Sequence, residues 1–128
     1  MSQGDIERIK AGWAAYNEGD FDAVMDMLDE GAELRRLGGL ETLRGKEAIR
    51  DWLGPDAYEF QRFEELTEFR ENGDRILVTC DWHARGRGSG IAVDGRMFVV
   101  FTVRGDKWSR LEVYLDEDEG LKAAGLSE

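Results

Sequence analysis

The sequence predicts an α+β fold in which helices pack on one face of a curved antiparallel sheet, and three observations carry that prediction. Apolar residues up to Leu53 recur at helical spacing, those from 58 to 115 follow the two-residue period of strands, and the only proline, Pro55, stands at the change. With 128 residues, 41% of them hydrophobic and four of them tryptophan, the chain is large enough to bury a core. It reads as one domain over residues 1–128.

Ile6, Ile9, Trp13 and Tyr16 stripe one face of a helix from Asp5 to Asn17, with Ser2 and Asp5 offering an approximate capping box. Gly19 breaks that helix, and Asp20 caps a second carrying Phe21, Val24, Met25 and Leu28. A brief strand is expected around Ala32 to Arg36, bounded by glycines. Lys46 to Leu53 reads as a third helix with Ala48, Ile49 and Trp52 on one side, stopped by Gly54 and Pro55. Beyond it, "ENGD" at 71–74, a glycine-rich corner at 86–90 and "RGD" at 104–106 punctuate a four-stranded antiparallel meander. Asp116, with Glu119 three residues on, caps a terminal helix that ends at Gly125.

The balance of 17 Lys+Arg against 28 Asp+Glu gives a net charge of −11, which repels phosphate backbones and anionic membrane surfaces. Neither nucleic acid nor membrane is expected as a partner, and no stretch has the 18 or so apolar residues of a span. The single cysteine, Cys80, cannot form an internal disulfide, and "MSQGDIERIK" lacks a signal's apolar region, so a cytoplasmic location is expected. One histidine and one cysteine supply metal chemistry poorly, and no calcium-loop spacing occurs; no metal and no cofactor are expected. The run "GRGSG" joins two strands and lacks the Gly-Lys-Ser/Thr ending and following helix of a phosphate loop, so its glycines read as a corner.

The stretch "CDWHARGRGSG", residues 80–90, holds the only histidine, His83, two residues after Asp81. On a strand, Leu77, Thr79, Asp81, His83 and Arg85 share one face while Ile76, Val78, Cys80 and Trp82 share the other. A turn centred on Asn72-Gly73 would set Leu66, Glu64 and Arg62 beside Thr79, Asp81 and His83. Apolar burial alone puts Val78, Cys80 and Trp82 inside and leaves Asp81 and His83 in water. On the last strand, Leu111, Val113 and Leu115 form an apolar face toward the helices, leaving Trp108, Arg110, Glu112 and Tyr114 as an outer face of interface composition.

"YNEGDFDAVMDMLDEGAEL", "RGKEAIRDWL", "GDRILV" and "VRGDKWSRLEVYLDEDEGLKAAGL" together resemble the SnoaL-like branch of the nuclear transport factor 2-like superfamily, over nearly the whole chain. The resemblance implies a cone-shaped sheet wrapped around the three N-terminal helices, with a short C-terminal helix and an internal pocket. It also implies a homodimer through the outer sheet face. Members include polyketide cyclases, ketosteroid isomerases, limonene epoxide hydrolases and scytalone dehydratases.

The ketosteroid isomerase base position falls at Arg35, which stays protonated, and the acid position of the isomerases and cyclases falls at Val99. Of the epoxide hydrolase set, Asp81 matches one aspartate, while Thr79 stands at the arginine position and Val113 near the second aspartate. The resemblance turns the Asp81 face into the pocket, against the burial argument above. On that reading Asp81 and His83 move protons, a carboxylate beside an imidazole tuning it toward neutrality. Arg35 and Glu33 orient the polar end of an apolar polyketide-, terpenoid- or steroid-like substrate, and Tyr16, Thr79, Val99 and Val113 line the cavity. The other reading is a dimeric module that holds a ligand or a protein partner without turnover.

Overall fold

The computed structural model describes residues 3–36, 40–53, 60–86 and 90–126; Ser2, Gly54, Pro55 and the corner residues 87–89 lie outside them. The chain runs α1 (Gln3–Asn17), α2 (Phe21–Met27), β1 (Leu28–Arg36), β2 (Glu41–Arg44), α3 (Lys46–Leu53), β3 (Phe60–Asn72), β4 (Arg75–Gly86), β5 (Ala92–Arg104), β6 (Lys107–Tyr114) and α4 (Glu117–Ala124). The caps act where side-chain chemistry directs. The Asp20 carboxylate accepts the Ala23 N–H at 3.2 Å, and Asp116 accepts the Asp118 N–H at 3.2 Å. At the far end of α4, Gly125 takes φ 74°, a left-handed cap natural only to glycine.

The six strands form one sheet in the order β2-β1-β6-β5-β4-β3. All neighbours are antiparallel except β1 and β6, which run parallel, a pairing the meander alone did not imply. The short β2, "ETLR", was not anticipated either; Leu43 packs toward the core beside Leu34 while Arg44 stays exposed. Among the described residues no helix is long and apolar enough to cross a membrane.

Helices cover both faces of the sheet. Ile9 of α1, Val24 of α2 and Ile49 of α3 pack with Leu34, Ile76, Val78, Cys80, Met97, Val99, Phe101 and Leu111 on the inner face. On the outer face Leu77, Phe98 and Val100 are buried beneath α4 with Ala124. The outer apolar surface of β4 and β5 is therefore covered by the chain's own C-terminal helix, whose Gly120 lets the backbone approach: a Cβ there would stand 3.1 Å from Phe98.

Irregularities in the ladders decide which side chains face in, and two of them bear on the site. In β3, Leu66 pairs with Cys80 and Glu68 with Thr79, so Thr67 is the extra residue; its hydroxyl donates to the Thr79 carbonyl at 3.3 Å. In β6 the register shifts so that Thr102 pairs with Arg110 but Val103 with Trp108, leaving Ser109 extra, with its hydroxyl on the Thr102 carbonyl at 3.2 Å. The second bulge corrects the expectation for Trp108. Instead of sharing the outer face with Arg110, it is 1% exposed in the inner core, edge-on to Phe101 at 5.0 Å. Gly12 of α1 makes room for it, since a Cβ there would meet the indole at 2.4 Å.

Candidate functional site

On the inner face of β3 and β4, polar chemistry gathers around Glu64. Its carboxylate is carried into the apolar interior, where the residue is 4% exposed. The Trp13 indole N–H donates to Glu64 Oε2 at 2.6 Å, and the Cys80 thiol lies 3.9 Å from the same oxygen. One helical turn beyond Trp13, the Asn17 amide grips the backbone of Glu64 on both sides. Its Nδ2 donates to the Glu64 carbonyl at 2.7 Å, and its Oδ1 accepts the Glu64 N–H at 3.0 Å. The carboxylate is thus fixed by hydrogen-bond donors and by the backbone, as a buried polar group requires.

The surroundings are aromatic and apolar. Trp82 stands directly across from Glu64 in the ladder, and Gly95 stands across from Trp82 on β5. A Cβ on Gly95 would lie 2.3 Å from the Trp82 ring, so the indole lies flat against the strand only because that position is glycine. Trp13 also meets Tyr16, ring centroids 6.1 Å apart, and Phe101 at 5.3 Å. Val99 is 1% exposed in the same core, with Val113 paired to it and packed against the cluster.

Asp81 and His83 are not part of this group, which corrects the expected direction of β4. They lie on the outer face, and each pairs across to β5. Arg96 forks Asp81 at 2.7 and 3.3 Å, and His83 Nδ1 lies 2.7 Å from Asp94 Oδ1 in an exposed pair. The Arg96 hydrogen bond, aided by its charge, holds the Asp81 carboxyl below its ordinary pKa. Burial explains the direction: the Val78, Cys80 and Trp82 side has the apolar area to fill the core, and two charged side chains do not.

Thr79 follows Asp81 to the outer face, as do Glu33 and Arg35 of β1, whose neighbour Leu34 takes the inner side. None of the three therefore joins Glu64. Of the residues expected to line the interior, Tyr16, Val99 and Val113 are on the inner side. Among the described residues no group of three or more His, Cys, Asp or Glu side chains could hold a metal ion.

The sequence placed Glu64 beside Asp81 because it centred the turn on Asn72-Gly73; the ladder closes instead with Asn72 across from Arg75, and the Thr67 bulge then brings Glu64 opposite Trp82. The signal available was on α1. Trp13 and Asn17 lie on its inward side, and their N–H groups need acceptors once buried.

Comparison with known proteins agrees with this architecture. A family model described as the SnoaL-like domain matches residues 9–111. Among solved structures, TerC co-crystallised with polyporic acid is 21% identical with a TM-score of 0.78, over 97% of this chain and 99% of that one. SalBIII, an epoxide hydrolase/cyclase-like enzyme of pyran ring formation in the polyether salinomycin, is 19% identical with a TM-score of 0.79, over 92% and 95%. RV0760c from Mycobacterium tuberculosis, in complex with estradiol-17β-hemisuccinate, is 13% identical with a TM-score of 0.75, over 91% and 96%. Such identities establish the fold alone. The curated proteins give no match. The match over most of the chain, on an inner sheet face covered by three N-terminal helices, settles the family: the chain belongs to the SnoaL-like domains.

Proposed function

We propose that this SnoaL-like protein is a cofactor-independent acid/base enzyme of the cyclase, isomerase, hydrolase or dehydratase class, with a pocket on the helix side of the sheet and Glu64 as its proton-transfer group. The carrying observation is the Glu64 carboxylate, 4% exposed on an apolar face and oriented by the Trp13 N–H. A carboxylate so held takes a proton from one atom of a bound molecule and returns it to another. In an isomerisation that is the net change; in an aldol-type ring closure the enolate carbon bonds the carbonyl carbon, whose π electrons pass to oxygen, and the carboxyl group protonates that alkoxide. The aromatic walls formed by Trp13, Tyr16 and Trp82 suit an apolar polyketide-, terpenoid- or steroid-like substrate. TerC with polyporic acid and RV0760c with a steroid ester point the same way by shared fold. The single cysteine is buried in the core, which fits a reducing cytoplasm.

Glu64→Gln tests the reading, because the amide oxygen still accepts from Trp13 while the side chain no longer transfers protons. Turnover of a panel of polyphenolic quinones, terpene epoxides and keto-steroids would be followed by product analysis, with binding followed separately by quenching of tryptophan fluorescence. The variant is expected to bind as before and to lose about 100-fold or more in turnover. Unchanged turnover with unchanged binding would remove Glu64 from the chemistry. Quenching without product from the unmodified protein would favour the second reading, a ligand-binding or protein-interaction dimer. A clean monomer by sedimentation at micromolar concentration would exclude the dimer.

A further inference from the structure

On the outer face, at the β2-β1-β6 end of the sheet, three arginines converge on one carboxylate. Glu33 stands directly across from Arg44 on β2 and from Arg110 on β6, with Arg35 two residues along its own strand. Arg35 and Arg110 each reach Glu33 Oε2 at 3.4 Å, and Arg44 reaches Oε1 at 3.8 Å. Among the described residues no guanidinium grips Glu33 with two parallel bonds. Arg96 forks Asp81 at 2.7 and 3.3 Å, and Arg36 meets Glu41 at 2.8 Å, so these two arginines of the sheet have tighter partners of their own, while Arg70 and Arg104 each meet one carboxylate at 3.8 and 3.9 Å.

The supply of donors exceeds what the protein accepts. A guanidinium carries five N–H donors in a rigid fork, and a carboxylate offers about four lone-pair sites. Among the described residues Glu33 is the one acidic partner of all three arginines. A second carboxylate, Glu112, lies across the ladder from Arg35 but is 7% exposed and takes the Tyr114 hydroxyl at 2.6 Å. The cluster is also open: the side chains of Arg35 and Arg110 are each 36% exposed and that of Arg44 is 71% exposed. A cationic surplus on a chain of net charge −11 runs against the whole-molecule field, and planar forks suit oxyanions.

We propose that Arg35, Arg44 and Arg110 form an oxyanion-binding site on the outer sheet face, taking a phosphate or carboxylate group that shares the guanidinium forks with Glu33. The site is separate from the Glu64 interior and stands or falls without it.

The test is calorimetric titration of the full chain at fixed ionic strength, with inorganic phosphate in one arm and succinate in the other. Saturable one-to-one binding of either anion is expected, and the anion with the lower dissociation constant assigns the ligand as phosphoester or carboxylate. Arg35→Gln and Arg110→Gln should each weaken it about tenfold, whereas Glu33→Gln, which removes the competing carboxylate, should tighten it. Arg96→Gln, on the same face with its own aspartate, should leave it unchanged. Binding that never saturates with either anion, or an equal loss in Arg96→Gln, would overturn the site. Thermal unfolding of each variant confirms that a loss reflects the site and not the fold.

Discussion

Two buried glutamates sit on opposite faces of one sheet, and each accepts from an aromatic donor at 2.6 Å. Glu64 faces the helices and takes the Trp13 N–H; Glu112 faces outward and takes the Tyr114 O–H. What differs is the company. Around Glu64 the described neighbours include indoles, a thiol, the Asn17 amide and apolar core, while Glu112 lies across from Arg35 beside a cluster of charges. On the proposed function the first carboxylate serves proton transfer, whereas the second holds the Tyr114 hydroxyl of its own strand. Residue type and burial are alike, so the neighbours assign the role.

The contrast between the faces can be broken most forcefully at the inner core. Trp108→Ala is expected to cost about 3 to 5 kcal/mol by chemical denaturation, because the indole fills the space between α1 and Phe101. A loss under 1 kcal/mol would mean that the inner face is loosely packed. Gly12→Ala comes next: forcing a methyl against that ring costs about 1 to 3 kcal/mol, offset by about 1 kcal/mol of helix propensity. A net loss of stability should remain.

The outer face should respond to pH instead. Burial, then the hydrogen bond to Glu112, push the Tyr114 phenol from 10.0 up to about 12. The folded state therefore holds more protons than the unfolded one between those values. The contribution is fully present below pH 10 and is lost as pH rises toward 12. Tyr114→Phe should flatten that fall in denaturation midpoints; an unchanged slope would detach Tyr114 from it. The smallest effects belong to the exposed pairs. Asp81→Asn and His83→Ala are each expected to leave the denaturation midpoint close to that of the unmodified protein. The Asp81 carboxyl, followed by NMR, should titrate below the ordinary aspartate value and move back up in Arg96→Gln.

Much of the fold was legible because it rests on local rules. The Ile6-Ile9-Trp13 stripe marked α1, Asp20 and Asp116 marked helix starts, and Gly73 and Gly105 sit with positive φ in the tight turns of β3-β4 and β5-β6. The site was less so, for two physical reasons. Burial of Val78, Cys80 and Trp82 gave the correct direction for β4, but the resemblance argued the opposite and carried Asp81 and His83 inward. The ladder register, meanwhile, depends on bulges at Thr67 and Ser109, and these relieve tertiary packing that no local window contains. Tyr16, Val99 and Val113 landed inside because their apolar character suffices to place them.

The bulge at Thr67 makes the doublet Glu64-Glu65 a form of redundancy. Were the hairpin to zip from its turn without absorbing the extra residue, Glu65 would arrive opposite Trp82 in place of Glu64, and Leu66 would swing out beside Asp81. Either alignment delivers a glutamate to the same indole. The exchange is not free: Glu64 and Leu66 would move to the outer face, Thr67 would arrive opposite Cys80, and the two Asn17 bonds to the Glu64 backbone would be lost, so the alignment with the bulge is the one the packing selects.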